Sequence, residues 1–293
     1  MLVKRMAHWT LNDIPWHSFD STKLRPDLVA IIKAASMVEY NGVDYARYLN
    51  EVFAGDEEFI RVANAWGDEE VQHGAALRKW AELADPSFDF DKCFKDFTTG
   101  YKLPQNVEAS VRGSRSGELI ARCVVETGTS SYYTAIGEST DEPVLKAICA
   151  KIAADEFRHY KLFYTYLKQY LDKENIGRFK RFRIALGRIT ESEDDELSYA
   201  FFAAHNDGKI TYDRKTYGSR YMACATALYR PRHIERMTGM VFKAVGVKPS
   251  DMVGRAISSL AWRLLKRRAR KLEPYRAQVM AGETSRQHSK LAA

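Results

Sequence analysis

Cysteine is scarce along this chain and never closely paired. Only four occur in 293 residues, Cys93, Cys123, Cys149 and Cys224, and no two form a CxxC pair. That spacing excludes a zinc ribbon or a rubredoxin-type centre, and reduced thiols in a cytosol are the simplest expectation. No apolar run approaches the roughly 20 residues that a bilayer-spanning helix needs. The opening Met1-Leu2-Val3-Lys4-Arg5, followed by His8 and Asp13, lacks the apolar segment of a secretory signal. A cytoplasmic protein is therefore expected. Hydrophobic residues at 45% and charged residues at 28% exclude a disordered or fibrous chain. The length suits one large domain or two modest ones. Basic residues outnumber acidic ones by 45 to 38, giving a net charge of +7. Acidic partners are favoured by that balance; nucleic acid is not expected among them.

What the chain does have is helical periodicity. Pro26 suits a first helical position, and a helix is predicted from there to about Phe53, with Leu28, Ile32, Ala35, Glu39, Val43, Ala46, Leu49 and Phe53 on one stripe. Gly55-Asp56 reads as a helix stop followed by a start. The second helix continues to about Ala84, with Phe59, Ala63, Trp66, Glu70, His73, Leu77 and Trp80 inward. Residues 85–114 show little periodicity and read as a long crossover. A third helix, about Ser116 to Glu138, aligns Leu119, Cys123, Glu126, Ser130 and Tyr133. A fourth starts after the Ser139–Pro143 cap and runs to about Asp172, with Glu156 and His159 inward. The expectation is an all-α protein: an arm at 1–25 with Trp9, Pro15 and Trp16, a four-helix bundle at 26–175 with one long crossover, accessory helices at 176–275, and a flexible tail at 276–293. Within the accessory part an acidic turn is expected at Glu191–Glu196. Helical patterns follow near 197–205, 217–245 and 249–271.

Six polar residues interrupt these apolar stripes: Glu39, Glu70, His73, Glu126, Glu156 and His159. Glu39 and Glu70 lie about equally far from the turn at Gly55, and Glu126 and Glu156 about equally far from Thr140. Equal rise per residue along antiparallel helices puts each pair at one height. The halves also superpose in sequence, with Glu39 to Glu126 at 87 residues and both Glu70 to Glu156 and His73 to His159 at 86. The pattern is a duplicated helical hairpin. An isolated ionised carboxylate in an apolar core costs several kcal/mol, whereas two divalent cations would balance four glutamates. Glu and His three residues apart share a helix face and can offer an oxygen and a nitrogen to one metal. A single Glu-x-x-His is ordinarily a surface pair. Two matched copies on buried stripes, each with a partner glutamate, point to a two-metal site, the ligand pattern of di-iron carboxylate bundles.

The stretches Trp66-Gly67-Asp68-Glu69-Glu70-Val71-Gln72-His73-Gly74 and Ile152-Ala153-Ala154-Asp155-Glu156-Phe157-Arg158-His159, with Glu126 and Thr129 between them, resemble the soluble acyl-[acyl carrier protein] desaturases of the ferritin-like superfamily. The resemblance covers about Pro26 to Leu171. It implies a ferritin-like bundle holding two Fe ions, with Mn/Fe as the alternative. Glu70 and Glu156 would bridge the metals, Glu39 and Glu126 would be terminal carboxylates, and His73 and His159 nitrogen ligands. Glu69 and Asp155 would orient the imidazoles. Thr129 corresponds to a threonine associated with oxygen activation; the alternative is a hydroxyl bonded to its own helix. Gln72 stands where the family's first motif usually has arginine.

The implied activity is O2-dependent desaturation of a fatty acyl chain presented by acyl carrier protein or coenzyme A, with electrons from a ferredoxin-type donor. A homodimer is implied too. A di-iron hydroxylase, an amine N-oxygenase and a non-enzymatic iron-binding protein remain as rivals. Tyr132 and Tyr133 fall near the six residues but read as core, and Tyr40 should point away. Arg263, Lys266, Arg267, Arg268, Arg270 and Lys271 form the clearest basic run, either the solvated face of a terminal helix or a contact for acidic partners or anionic lipid.

Overall fold

The computed structural model describes residues 9–104, 107–191, 195–206, 211–248 and 250–291. It is all-α, with no strand among these residues and no helix long and apolar enough to cross a membrane. Four helices carry the six polar residues: α1 (Pro26–Tyr40), α3 (Glu57–Ala84), α5 (Arg115–Ser139) and α6 (Pro143–Glu174), with α2 (Gly42–Val52) continuing α1. The α3 start is capped by Asp56, whose side chain accepts from the Phe59 amide, after Gly55 at φ +87°. At the start of α6, Glu142 accepts from the Val144 and Leu145 amides and from Trp80 Nε1.

The single helix expected over 26–53 is divided at Asn41. Its physical reason is close approach to α3. A Cβ on Gly42 would lie 2.5 Å from the Gly67 carbonyl oxygen, and one on Gly74 would lie 2.3 Å from the Tyr40 amide nitrogen. Only glycine lets the chain pass α3 here, and this crossing sets Glu39 beside Glu70.

The connection expected to be irregular contains α4 (Phe90–Gly100), which buries Phe90, Cys93 and Phe97. Beyond α6 follow α7 (Arg178–Glu191), α8 (Asp195–His205), α9 (Arg214–Thr226), α10 (Pro231–Val245) and α11 (Asp251–Leu291). Half of the expected acidic turn, 192–194, lies outside the described residues. The pattern read over 217–245 is two helices, broken where Pro231 starts α10. The expected basic run falls on the exposed part of α11.

α8, α9 and α11 pack against α1, so every α1 residue from Asp27 to Met37 is buried. A helix apolar on all sides must be enclosed on all sides, and α1 is. The accessory helices thus share a core with the bundle, Phe201, Tyr217 and Tyr221 joining Leu28 and Ile32 in one cluster. A second cluster holds Phe53, Phe59, Leu119 and Phe163. Along α1, α3, α5 and α6 the six polar residues fall in the layer between the two clusters.

The flexible tail expected over 276–293 is helix as far as Leu291, and 292–293 lie outside the described residues. Val279 and Glu283 are buried, and Lys33 Nζ donates to Glu283 at 2.8 Å and to Asp85 at 2.7 Å. Burial alone would push the Glu283 carboxyl up, but His205 and the Lys33 ammonium bring it down to about 2. Above the ordinary value of 4.5 the ionised group stabilises the fold, and that contribution is lost as pH falls toward 2. Glu283→Gln is therefore expected to cost roughly 2–3 kcal/mol at pH 7 and progressively less below the ordinary carboxylate range. Melting temperature against pH for the two proteins checks this, and a constant difference across the acid limb would remove Glu283 as its source.

Candidate metal centre

All six residues converge. Glu39 comes from α1, Glu70 and His73 from one turn of α3, Glu126 from α5, and Glu156 and His159 from one turn of α6; each is buried. Glu39, Glu70, His73 and Glu156 can place one ligand atom each within 4.8 Å of one another, and so can Glu70, Glu126, Glu156 and His159. Glu70 and Glu156 belong to both sets. His73 Nδ1 lies 3.2 Å from Glu156, 3.6 Å from Glu70 and 3.8 Å from Glu39. His159 Nδ1 lies 3.1 Å from Glu70, 3.6 Å from Glu126 and 3.9 Å from Glu156. Each imidazole faces the glutamate of the other motif most closely, which reproduces the sequence duplication in space.

The outward nitrogens are held crosswise. His73 Nε2 is 3.1 Å from Asp155 of α6, and His159 Nε2 is 2.9 Å from Glu69 of α3. With Nε2 so occupied, Nδ1 of each ring is turned inward. Arg158 Nη2 donates to Glu69 at 3.0 Å and Asp155 at 2.5 Å, so one guanidinium ties both carboxylates together. Because it spans both, Gln72 at the matching position of the first motif need not supply a second arginine.

Charge crowding perturbs every member. Burial and the charges of Glu70 and Glu156 raise Glu39, while burial and Glu156 raise Glu126. Burial disfavours a protonated His73 or His159, yet the surrounding carboxylates raise both well above the ordinary imidazole range. Protons thus substitute for cations here. Even so, His73 Nδ1, His159 Nδ1, Glu156 Oε1 and both Glu126 oxygens are buried without a hydrogen-bond partner among the described residues. A bound cation would account for such orphaned groups. Four carboxylates and two imidazoles suit first-row divalent metals such as Fe and Mn.

The fatty acid desaturase family model matches residues 22–183, a span containing all six of these residues. The chain belongs to this family. No curated protein matches it significantly. Helices α8 to α11 lie beyond the part shared with the fatty acid desaturases.

Three residues around this centre, Trp9, Tyr133 and Arg158, were not singled out as functional in the sequence. Trp9 Nε1 donates to Asp155 Oδ2 at 2.7 Å, and the Trp9 ring stacks over His73 at 6.0 Å between centroids. Tyr133 donates to Glu39 Oε1 at 2.5 Å. Arg158 lay within the quoted motif without a role. Trp9 could have been flagged only as an aromatic in an irregular arm, and Tyr133 by sharing the α5 stripe with Glu126. Tyr40 does point away, its ring packed edge-on against Phe90 and Phe94. The Thr129 hydroxyl reaches Glu156 Oε2 at 2.6 Å, with Val125 and Glu126 carbonyls of its own helix at 3.2 and 3.3 Å.

Anaerobic loading with Fe(II) is expected to give two ions per chain, and Glu126→Ala or His159→Ala to remove at least one. Iron per chain after desalting measures this. Two ions retained in both variants would exclude the cluster as the metal site.

Proposed function

We propose that the chain is an O2-dependent oxidoreductase with a two-iron centre, in which Glu39, Glu70, His73 and Glu156 would hold one ion and Glu70, Glu126, Glu156 and His159 the other. The observation that carries this reading is the pair of four-residue sets sharing Glu70 and Glu156, with orphaned ligand atoms turned into one buried space. Iron bound there would supply the activation of O2 for C–H oxidation.

The protein's own residues have definable parts. Glu69 and Asp155 fix the imidazole tautomers, Arg158 fixes those carboxylates, and Trp9 stacks on His73 while donating to Asp155. Thr129 Oγ1 lines the cavity that reaches Glu39, Glu70, Glu126 and Glu156, and its short bond to Glu156 lets it pass a proton between that carboxylate and the cavity. Tyr133 holds Glu39 Oε1 and leaves Oε2 for a metal.

Family membership favours desaturation of a fatty acyl chain, with acyl carrier protein or coenzyme A as carrier and a ferredoxin-type donor. Its balance is R–CH2–CH2–R + O2 + 2e− + 2H+ → R–CH=CH–R + 2H2O. Oxygen insertion into a small molecule, RH + O2 + 2e− + 2H+ → ROH + H2O, is the second reading. It is favoured by the charged side chains lining the cavity, among them Arg112, Glu118 and Arg122.

A single turnover separates the two. Reduced, iron-loaded protein is mixed with O2 and a panel of acyl thioesters, small acids and amines, and product mass is read. Loss of two hydrogens is the outcome for desaturation, and gain of one oxygen the outcome for insertion. Oxidised iron with every compound unchanged would overturn the enzymatic reading in favour of iron handling.

A further inference from the structure

We infer that the cavity beside the metal centre is built for a compact organic acid, whose carboxylate is gripped by Arg122, and not for a long alkyl chain. The inference rests on the metal-centre reading above for its chemistry but on the cavity alone for its substrate class.

Arg122 stands one turn before Glu126 and one turn after Glu118, so all three share a face of α5. Its guanidinium carbon lies 5.8 Å from the Trp66 ring centre, and its side chain is only 16% exposed. Among the described residues its sole hydrogen bond is a long one, 3.3 Å from Nε to Glu118 Oε1. Glu118 is already engaged through its other oxygen, accepting from Tyr48 at 3.0 Å and Ser110 at 2.8 Å. Arg112, also in the lining, turns its fork onto Glu191. Arg188, the third arginine of the lining, has a partner of its own. That leaves Arg122 as the lining guanidinium whose two Nη groups make no hydrogen bond among the described residues.

A methylene chain placed here would strip water from that fork while returning no hydrogen bond, which is unfavourable for buried polar groups. A carboxylate returns two parallel charge-assisted bonds to a guanidinium. Size agrees. The cavity holds about 230 Å³, below the roughly 300–1,000 Å³ typical of sites for drug-sized ligands. Arg122 and Glu126 are separated by a single turn, about 5–6 Å between side-chain bases. An acid held by Arg122 thus presents an atom a few bonds from its carboxylate to Thr129 and the metal ligands.

Binding can be read without turnover by loading the protein with Zn(II), which undergoes no redox change. Calorimetric titration would compare hexanoate and benzoate with hexanamide and benzamide, and with palmitoyl-pantetheine. Acids are expected to bind at least tenfold more tightly than their amides. Arg122→Gln should erase that preference, and Arg122→Lys, which keeps the charge opposite Glu118 but loses the fork, should retain part of it. Metal content should stay at the parent value in both. Equal affinity for acid and amide, a preference surviving Arg122→Gln, or binding of the palmitoyl thioester with none of the acids would each overturn the inference. O2 uptake by the iron-loaded protein is a separate readout. Its failure with acid binding intact would overturn the two-iron reading alone, and its success with indifferent binding would overturn only the substrate class.

Discussion

Four carboxylates enclosed in a helical core must be neutralised, and the rest of this structure is arranged around that requirement. Each ionised group costs several kcal/mol to bury after relaxation, and mutual repulsion adds to that cost. Protonation of Glu39, Glu126 and the imidazoles offsets part of it, as the raised values of all four indicate. Even so, both Glu126 oxygens and both Nδ1 atoms make no hydrogen bond among the described residues. Two divalent cations would engage them, and binding them would release the protons.

Such a centre demands precision in the backbone that carries it. Glu39 reaches Glu70 because Gly42, Gly67 and Gly74 allow α1 and α2 to touch α3 at that height. The imidazoles reach their positions because each motif carries the acid that holds the other motif's histidine. Asp155 and Glu69 are exchanged between α6 and α3, and Arg158 locks the exchange. Displacing one helix would therefore loosen ligands on both. Hydrophobic clusters on either side of the layer hold the helices in register, so packing and coordination constrain the same coordinates.

How much of this could be read from the sequence follows from the range of each interaction. The inward stripes of α3, α5 and α6, the Gly55-Asp56 turn and the Pro143 start are local signals, and the structure has them. Glu39, Glu70, Glu126 and Glu156 could be placed at one height because helical rise is constant. The break at Asn41 was not legible, since it is imposed by the backbone of α3. Nor was α4, whose Phe90, Phe94 and Phe97 stripe is short and flanked by Pro86, Gly100 and Pro104. Residues 276–283 are tied to the bundle by Asp27 and Lys33, some 250 positions away, and a polar composition says nothing about such partners. Trp9 likewise gains its meaning only from Asp155 and His73.

The cavity shows why the family match bears more directly on the candidate metal centre than on the substrate. The candidate ligands, their carboxylate supports and Thr129 all lie within the matched residues 22–183. Part of the wall facing them does not. Arg188 of α7 and Glu196 of α8 line the cavity from beyond that span, Glu196 accepting from Tyr45, and Arg112 is turned by Glu191. A polar wall recruited from outside the shared segment alters what the cavity can desolvate without touching a ligand. One scaffold can then keep a common oxidant site while exchanging an alkyl chain for a charged substrate. Here the side chain that would decide between them, Arg122, sits one turn from Glu126 on the same helix, where a change of substrate class needs no change of fold.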